Sequence, residues 1–475
     1  MEIEIIKKLI KENSTQQGEL LQKALQGRRY YKRQTDIMFR EKTSDKNNNP
    51  LRNADNRVNT NWHGLLVDQK ASYLFTYPPT FDIGNKKAND MLNEVLGDDF
   101  PKTCKDLCVD ASNTSCAVLH IWKDSTGKLE YAPIPVEQII PVWDTGLKKK
   151  LRACFRKYDT LKDDGKIWTI YEYWTETECF AYEKETSKAI DESFREANIF
   201  AAYNVDENIT EFTNTYKHNF GEVPFIFFYN NNIQENDLSL NKELIDVYEK
   251  VLSGFVNDVE DIQEIIFVLK NYGGTDLSTF KQKLKETGVI DMQSDMDEQT
   301  GLDTITINIP VEAKDKLLTL IEKLIYKFGQ GVNPDLENYG NASGVALEYL
   351  YSLLELKSGL METEFKPAFA KFIRLICKQL NIPCKKIIQT WTRNKIRNDT
   401  ETAAIAVQSK GIISDKTILK NHPWVEDTEQ EIKELEKQQE KEDIFSGYSL
   451  IEQQAENLNN RGSYEKETGV NNEQQ

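Results

Sequence analysis

From about residue 345 to 381 the chain keeps one helical pattern, opening VALEYLYSLLELK, and any fold for it must be built around that element. A straight helix of this length reaches about 55 Å at 1.5 Å rise per residue. Gly359 weakens it and Pro367 removes one of its hydrogen bonds, so a bend is expected. The stretch before it is opposite in character. VNPDLENYGNASG, residues 332–344, is polar and dotted with glycine, and it holds acid but no Lys or Arg. Such a loop can do little chemistry. Val345, Leu347, Leu350, Leu354 and Leu356 behind it read as the apolar face that anchors it.

The 475 residues leave room for two to four modules. A hydrophobic content of 39% supports packed cores, and 29% of residues are charged. The net charge of −17 argues against a tight grip on nucleic acid, which needs Lys and Arg to neutralise phosphates. It equally disfavours anionic membrane surfaces. No apolar run approaches the ~20 residues that span a bilayer. The opening MEIEIIKKLIKEN reads as a short amphipathic helix, not a secretory signal, so synthesis in the cytosol is expected. Seven cysteines, thinly spread and odd in number, fit reduced thiols.

Residues 1–40 read as helical, ending in the basic stretch GRRYYKRQ. A loop follows at 43–57. In NWHGLLVDQKASYLF, Trp62, Leu65, Leu66, Gln69 and Tyr73 keep helical spacing, and Tyr77-Pro78-Pro79 ends the helix. A further helix covers about 101–113. Period-2 patterns then predict strands in CAVLHIW, KLEYAPI, QIIPVWD, LRACFRKY, WTIYEYW, ECFAYEKE and EVPFIFFYN. Residues 239–265 return to helical spacing, with an apolar stripe wide enough for contacts on more than one side. IIFVLKNYGG reads as strand and turn, DLSTFKQKLKETG as a helix, GLDTITINI as a strand and EAKDKLLTLIEKLIYKFGQ as another helix. After the long helix come a strand, IIQTWTRN, and three short helices. The last opens on the capping-box pattern Asp427-Thr-Glu-Gln430. Residues 444–475 have the composition of a disordered tail.

Catalytic signatures are absent: no phosphate-binding loop, no H-E-x-x-H and no G-x-S-x-G. Four histidines give acid–base chemistry few candidates. Cys104, Cys108, Cys116 and His120 are the best metal-ligand set. Their short link is unlike that of structural zinc sites, so buried, inert thiols are the stronger expectation. Asp291, Asp295, Asp297, Glu298 and Asp303 could be imagined as a two-metal nuclease, but no His or Lys accompanies them and a solvated acidic loop explains them better. Arg28, Arg29, Tyr30, Tyr31, Lys32 and Arg33 form a short basic and aromatic patch, read as a solvated face or subunit contact.

Five segments, in order, carry a resemblance. They are NRVNTNWHGLLVDQKASYLFTYPPTF, LEYAPIPVEQIIPVWD, FVLKNYGGTDLSTFKQKLKETGVI, GNASGVALEYLYSLLELK and GIISDKTILKNHPWVEDTEQEIKELEKQ. Over roughly residues 20–443 the chain resembles the portal (head–tail connector) proteins of siphophage-type tailed double-stranded DNA phages. Asn271 and Cys116 stand where that family leads one to expect glycine. The resemblance implies an α+β portal fold with a mixed α/β wing, a helical stem, a small α/β clip, a long kinked helix and an α-helical crown, assembled as a ring of twelve. Its parts would be an N-terminal arm (1–24), a wing (25–235), a stem helix (236–264), a clip (265–309), a second stem helix (310–331), a tunnel loop (332–344), the long kinked helix with the rest of the wing (345–395), a crown (396–443) and the tail (444–475).

It further implies a virion protein made in the host bacterial cytoplasm and placed at one capsid vertex. Double-stranded DNA would be packaged and ejected through it without sequence specificity. Neither enzyme activity nor a cofactor is implied. The partners would be the terminase large subunit, a head–tail adaptor and the major capsid and scaffold proteins, with no membrane. Asn333, Asp335, Glu337, Asn338 and Tyr339 would project toward DNA. Gly340 and Gly344 would act as hinges, having no Cβ, and Asn341 or Ser343 would cap the helix. Lys270, Tyr272, Asp276, Lys281 and Lys285 would meet terminase or adaptor. The acidic balance suits a conduit better than a binder, since each cation on phosphate adds affinity and affinity slows sliding. A metal-dependent nuclease and a non-conducting oligomeric protein are the alternatives.

Overall fold

The computed structural model describes residues 2–16, 18–41, 54–124, 126–204, 209–261, 266–270, 301–305, 309–334, 344–395 and 399–438, apart from 421, 423, 426, 427 and 429. It is mixed α and β, and every strand pairing among the described residues is antiparallel. The chain divides into two compact units, one of residues 1–337 and 350–395 and the other of residues 338–349 and 396–475.

The first unit opens with helices α1 (Ile3–Gln16) and α2 (Gly18–Tyr31). Helix α3 (Trp62–Phe75) is apolar almost all round and buries nine side chains or backbone positions, from His63 to Phe75. A helix of that kind belongs inside a core. Helix α4 (Lys86–Leu96) starts on Asn85, whose side chain accepts from the Lys87 and Ala88 amides. The sequence patterns above did not reveal it: it is short and rich in charge. Helix α5 (Phe100–Thr114) follows, and the chain reverses at Ser115, which takes φ +71°. The left-handed residue of this turn is therefore Ser115. Cys116, where glycine was expected, is already the first residue of an extended strand.

Two sheets follow. In the first, β12 (Phe225–Tyr229), β2 (Cys116–Lys123) and β3 (Leu129–Ile134) lie side by side. Strand β2 is buried on both faces, and its period of two sorts its residues between two cores. Ala117, Leu119 and Ile121 enter the largest core, with α5 and the phenylalanines of the long helix. Cys116 and Val118 enter a second core with Ile139, Cys154, Trp174 and Phe225. The larger sheet has the order β11-β7-β6-β5-β4, where β4 is Ile139–Trp143, β5 Leu151–Leu161, β6 Ile167–Trp174, β7 Glu178–Glu185 and β11 Thr215–Lys217. Ile6 and Ile10 of α1 pack on it with Phe155, Tyr173 and Tyr182.

Helix α6 (Lys242–Asp261) leads to the antiparallel pair β13 (Ile266–Lys270) and β14 (Gly301–Ile305), and α7 (Val311–Phe328) returns. Lys314 of α7 pairs with Asp258 of α6. Trp62 of α3 sets its ring edge-on to both Tyr248 (5.5 Å) and Tyr326 (5.3 Å). The two helices are thus antiparallel neighbours resting on α3. The long helix, α8, runs Gly344–Gln379, and its helical assignment continues through Gly359 and Pro367. Phe365, Phe369 and Phe372 recur at i, i+4 and i+7 and are fully buried. Phe228 of β12 meets Phe365 and Phe369 at 5.1 and 4.9 Å. Each such burial contributes about 1.5–3 kcal/mol. Strand β15 (Ile388–Thr390) pairs back on β1 (Thr80–Asp82).

The second unit contains α9 (Asp399–Gln408) and α10 (Asp415–Lys420). Gly411 takes φ +84° in the turn between them, and the Ser414 hydroxyl accepts from the Thr417 amide at the start of α10. The capping box at Asp427 and the tail at 444–475 lie outside the described residues.

Candidate functional site

The polar loop from Asp335 to Ser343 lies outside the described residues, so Asp335, Glu337, Asn338, Tyr339, Gly340, Asn341 and Ser343 have no described placement. Gly344 is the first residue of α8, and Asn333 is half-buried. The two roots of the loop are described, and both are fastened to the unit's core.

At the incoming root, α7 ends and the chain turns through Gly329, Gln330 and Gly331. Gln330 takes φ +53°. The Gly329 and Gly331 amides donate back to Ile325 O (2.8 Å) and Tyr326 O (3.0 Å). A Cβ on Gly329 would stand 2.2 Å from Asn241 Nδ2 and 2.5 Å from Leu66 Cδ1, and one on Gly331 would stand 2.3 Å from Leu66 Cδ2. Glycine at both places lets the backbone press against α3. The Gln69 side chain of α3 then closes a two-point clamp. Its Nε2 donates to Val332 O at 2.8 Å, and its Oε1 accepts from Val332 N at 3.0 Å.

At the outgoing root, Tyr351 of α8 stacks on Tyr73 of α3 with 5.6 Å between centroids. The Tyr73 hydroxyl donates to Glu355 at 2.5 Å. Arg393 grips the same carboxylate with Nε (3.1 Å) and Nη2 (3.0 Å) and also pairs with Glu362. Leu354 is buried, as the anchoring reading expects, but Leu356 is exposed. The buried face of α8 turns away from Leu356 because Lys357 and Ser358 occupy it instead.

Lys357 ties the roots together. Its ammonium donates to Gly329 O at 3.1 Å and lies 3.0 Å from Asp237 Oδ2. Lys70 of α3 reaches the same carboxylate at 3.1 Å and donates to Asn230 Oδ1 at 2.5 Å. Asn230 Nδ2 donates to Asp237 Oδ1 at 2.8 Å. All three charged groups are buried. Burial alone would raise the Asp237 carboxyl, but Lys357 and Lys70 beside it hold it well below the ordinary carboxylate range. Burial lowers the Lys357 ammonium, and Asp237 offsets that only in part. Motif reasoning missed this cluster. The available signal was Lys357 itself, a charge on the same helical stripe as Leu354 and Met361.

The other candidates are placed as follows. Cys104 and Cys108 of α5 face the largest core, where Cys108 Sγ lies 3.4 Å from Met361 Sδ. Cys116 and His120 point to the opposite face of β2. His120 donates Nδ1–H to Pro224 O at 2.9 Å and stacks 4.2 Å from Phe225. The four do not converge, and burial pushes the Cys108 thiol up to about 12, away from the thiolate a metal needs. In the basic patch, Arg28 lies 3.2 Å from Asp110, Arg29 pairs with Asp36, Tyr30 donates to Asp246 at 2.5 Å and Tyr31 to Asp68 at 2.8 Å. The patch is largely satisfied within the chain, with Lys32 and Arg33 exposed. Lys270 ends β13, opposite Gly301. Tyr272, Asp276, Lys281 and Lys285 lie outside the described residues, as do Asp291, Asp295, Asp297 and Glu298. Asp303 lies in β14. Among the described residues no group of acids, histidines and cysteines is arranged to hold a metal, and no helix is long and apolar enough to cross a membrane.

What the arrangement can do is mechanical: it holds a short polar loop by both ends on one buried ionic junction. Comparison with known proteins adds its context. The profile of the family described as phage portal protein, SPP1 Gp6-like, matches residues 10–444. The chain is 41% identical over 447 residues to the portal protein of Clostridium phage phiCD119, covering 90% of this chain and 94% of that protein. It is 31% identical over 448 residues to the portal protein of Bacillus phage SPP1, covering 91% and 86%.

Proposed function

The chain belongs to the SPP1 Gp6-like family of phage portal proteins, and on that premise we propose that it is the ring-shaped conduit through which double-stranded DNA enters and leaves a capsid. The observation that carries the reading is the family match across residues 10–444. The doubly anchored loop supports it. In this reading twelve copies form the ring at one capsid vertex, and the chain performs no reaction. Residues 25–235 are the wing, with 1–24 its arm, and 345–395 complete it. The stem is 236–264 with 310–331, the clip 265–309 and the crown 396–443.

The loop at 332–344 faces the bore. Asn333, Asp335, Glu337, Asn338 and Tyr339 meet the duplex there, with Gly340 and Gly344 as hinges and Asn341 or Ser343 as the cap. Acid at that position repels the phosphate backbone and keeps the duplex from sticking. The clip, through Lys270, Tyr272, Asp276, Lys281 and Lys285, docks a terminase motor and later a head–tail adaptor. Capsid and scaffold proteins contact the outer rim.

Negative-stain images of the purified protein test the assembly: rings with a central hole are expected, and compact particles would reject it. The double variant Asp335→Lys/Glu337→Lys tests the loop. Rings should persist while packaged DNA falls, and an unchanged packaging yield would reject the bore-facing assignment.

A further inference from the structure

Helix α7 is covered on one side only. Ile321, Ile325 and Tyr326 are buried against α6 and α3. Its apolar arc continues beyond that contact. Leu317, Leu320 and Phe328 are 41%, 54% and 52% exposed, and with the half-buried Leu324 they follow one another at helical spacing along a single face. A contiguous apolar stripe of this size in water marks an interaction surface.

Helix α6 has an open place of its own. Val247 is 46% exposed. Gly254, two turns on and on the same face, would meet nothing within 4 Å if it carried a Cβ. Glycine in mid-helix costs about 1 kcal/mol relative to alanine. At Gly329 and Gly331 the packing within the chain explains the residue. At Gly254 nothing among the described residues does.

The two faces match in register. Within one chain Lys314 stands opposite Asp258 and Tyr326 near Tyr248. In a closed ring each copy is related to the next by rotation without rise. For a helix pair running along the ring axis, the neighbour's α6 therefore presents its residues at the heights they hold in this chain. Leu320 falls level with Gly254, and Leu324 and Phe328 bracket Val247.

We propose that the α7 stripe of each copy packs on the Val247–Gly254 face of α6 in the next copy, with Leu320 seated over Gly254. The proposal rests on the ring reading above and names the seam that closes the ring. The contact is head-to-tail, between two different patches, so it propagates around a circle instead of ending at a dimer.

The test uses the full chain with Cys384→Ser, which removes the one half-buried thiol; the other six cysteines are buried. Val247→Cys and Leu324→Cys are introduced singly and together, and assembled protein is oxidised. The double variant should give a ladder of covalent multimers, and a mixture of the single variants should give dimers. Cross-linking of Leu324→Cys alone, or no ladder from a double variant that still forms rings, would overturn the seam. Independently, Gly254→Leu should cut assembled rings roughly ten-fold by overfilling the notch, while the unfolding midpoint of the chain stays the same or rises. Adding Leu320→Ala should restore rings. Rings unaffected by Gly254→Leu would also overturn the seam. An unaltered chain that forms no rings would instead sink the ring reading itself.

Discussion

Asp237 is shared by two buried lysines, so its removal and theirs are not equivalent. Asp237→Asn leaves the Lys70 and Lys357 ammonium groups facing each other without a counter-ion. Breaking a buried pair in this way costs about 3–5 kcal/mol. Lys357→Met leaves the Lys70–Asp237 pair intact and should cost less, about 1–3 kcal/mol, mostly for the Gly329 carbonyl it orphans. Urea unfolding of both variants checks the order, and equal losses would show that the three groups do not act as one junction. The histidines give a second expectation. Burial lowers His63 to about 4 and His120 to about 3. Both are neutral in the fold, whereas an unfolded histidine titrates near 6.5. Between those values the unfolded chain binds more protons, so this stability is complete above about pH 6.5 and is lost as pH falls toward the folded values. At pH 5 the loss for His63 alone should be ~2 kcal/mol. Asp110 and Glu249, whose carboxyls burial raises, act in the opposite sense. The measurement is therefore the difference between the unaltered chain and His63→Gln, whose amide can still donate to Asn113. The variant should lose less stability between pH 7.5 and pH 5.

The loop roots make a prediction about segments. Gly331→Ala drives a methyl group into Leu66, and overpacking of that kind costs about 1–3 kcal/mol. Gln69→Ala removes both clamp hydrogen bonds while leaving that packing intact. Limited proteolysis should therefore cut within 332–344 faster in Gln69→Ala, with the unfolding midpoint nearly unchanged; equal cutting rates would show that the clamp does not hold the loop. Which of these elements could be read in advance follows from the range of the forces that make them. The long helix was legible because its period repeats along its own length, and α3 because Pro78 and Pro79 stop it. Strands β2 and β5 to β7 were legible from alternation. The partners were not. Strand β1 pairs with β15 across some three hundred residues, and Lys70 meets Asp237 from the other end of the wing sequence. Nothing local encodes those choices. Leu356 shows the same gap from the other side: as an apolar residue near a buried stripe it reads as an anchor, yet Lys357 takes the inner position because Asp237 awaits it. Zinc ligation by Cys104, Cys108, Cys116 and His120 failed for a legible reason, since residues of α5 and β2 meet on opposite faces of one strand.

For the assembly, charge and apolar area pull in opposite directions. Each chain carries −17, so a dozen copies approach −200, and closing the ring brings like charges within about 10 Å, the screening length at 0.1 M salt. That repulsion opposes assembly and weakens as salt is added. A seam built from Leu317, Leu320, Leu324 and Phe328 over Val247 and Gly254 contains no ion pair for salt to weaken. Sulfate, which strengthens apolar burial, should favour it further. The assembled fraction at fixed protein concentration should therefore rise from 20 to 500 mM sodium chloride, and rise more in sodium sulfate of equal ionic strength. Sedimentation velocity reads both series directly. A seam held by salt bridges would show the reverse, rings dissociating as salt screens them. Gly254→Leu separates the two contributions, because it alters the fit and leaves every charge in place. If its assembly defect is the same at all salt concentrations, packing closes the ring and charge only sets the threshold. If added salt abolishes the defect, repulsion is the governing term and the seam lies elsewhere on the chain.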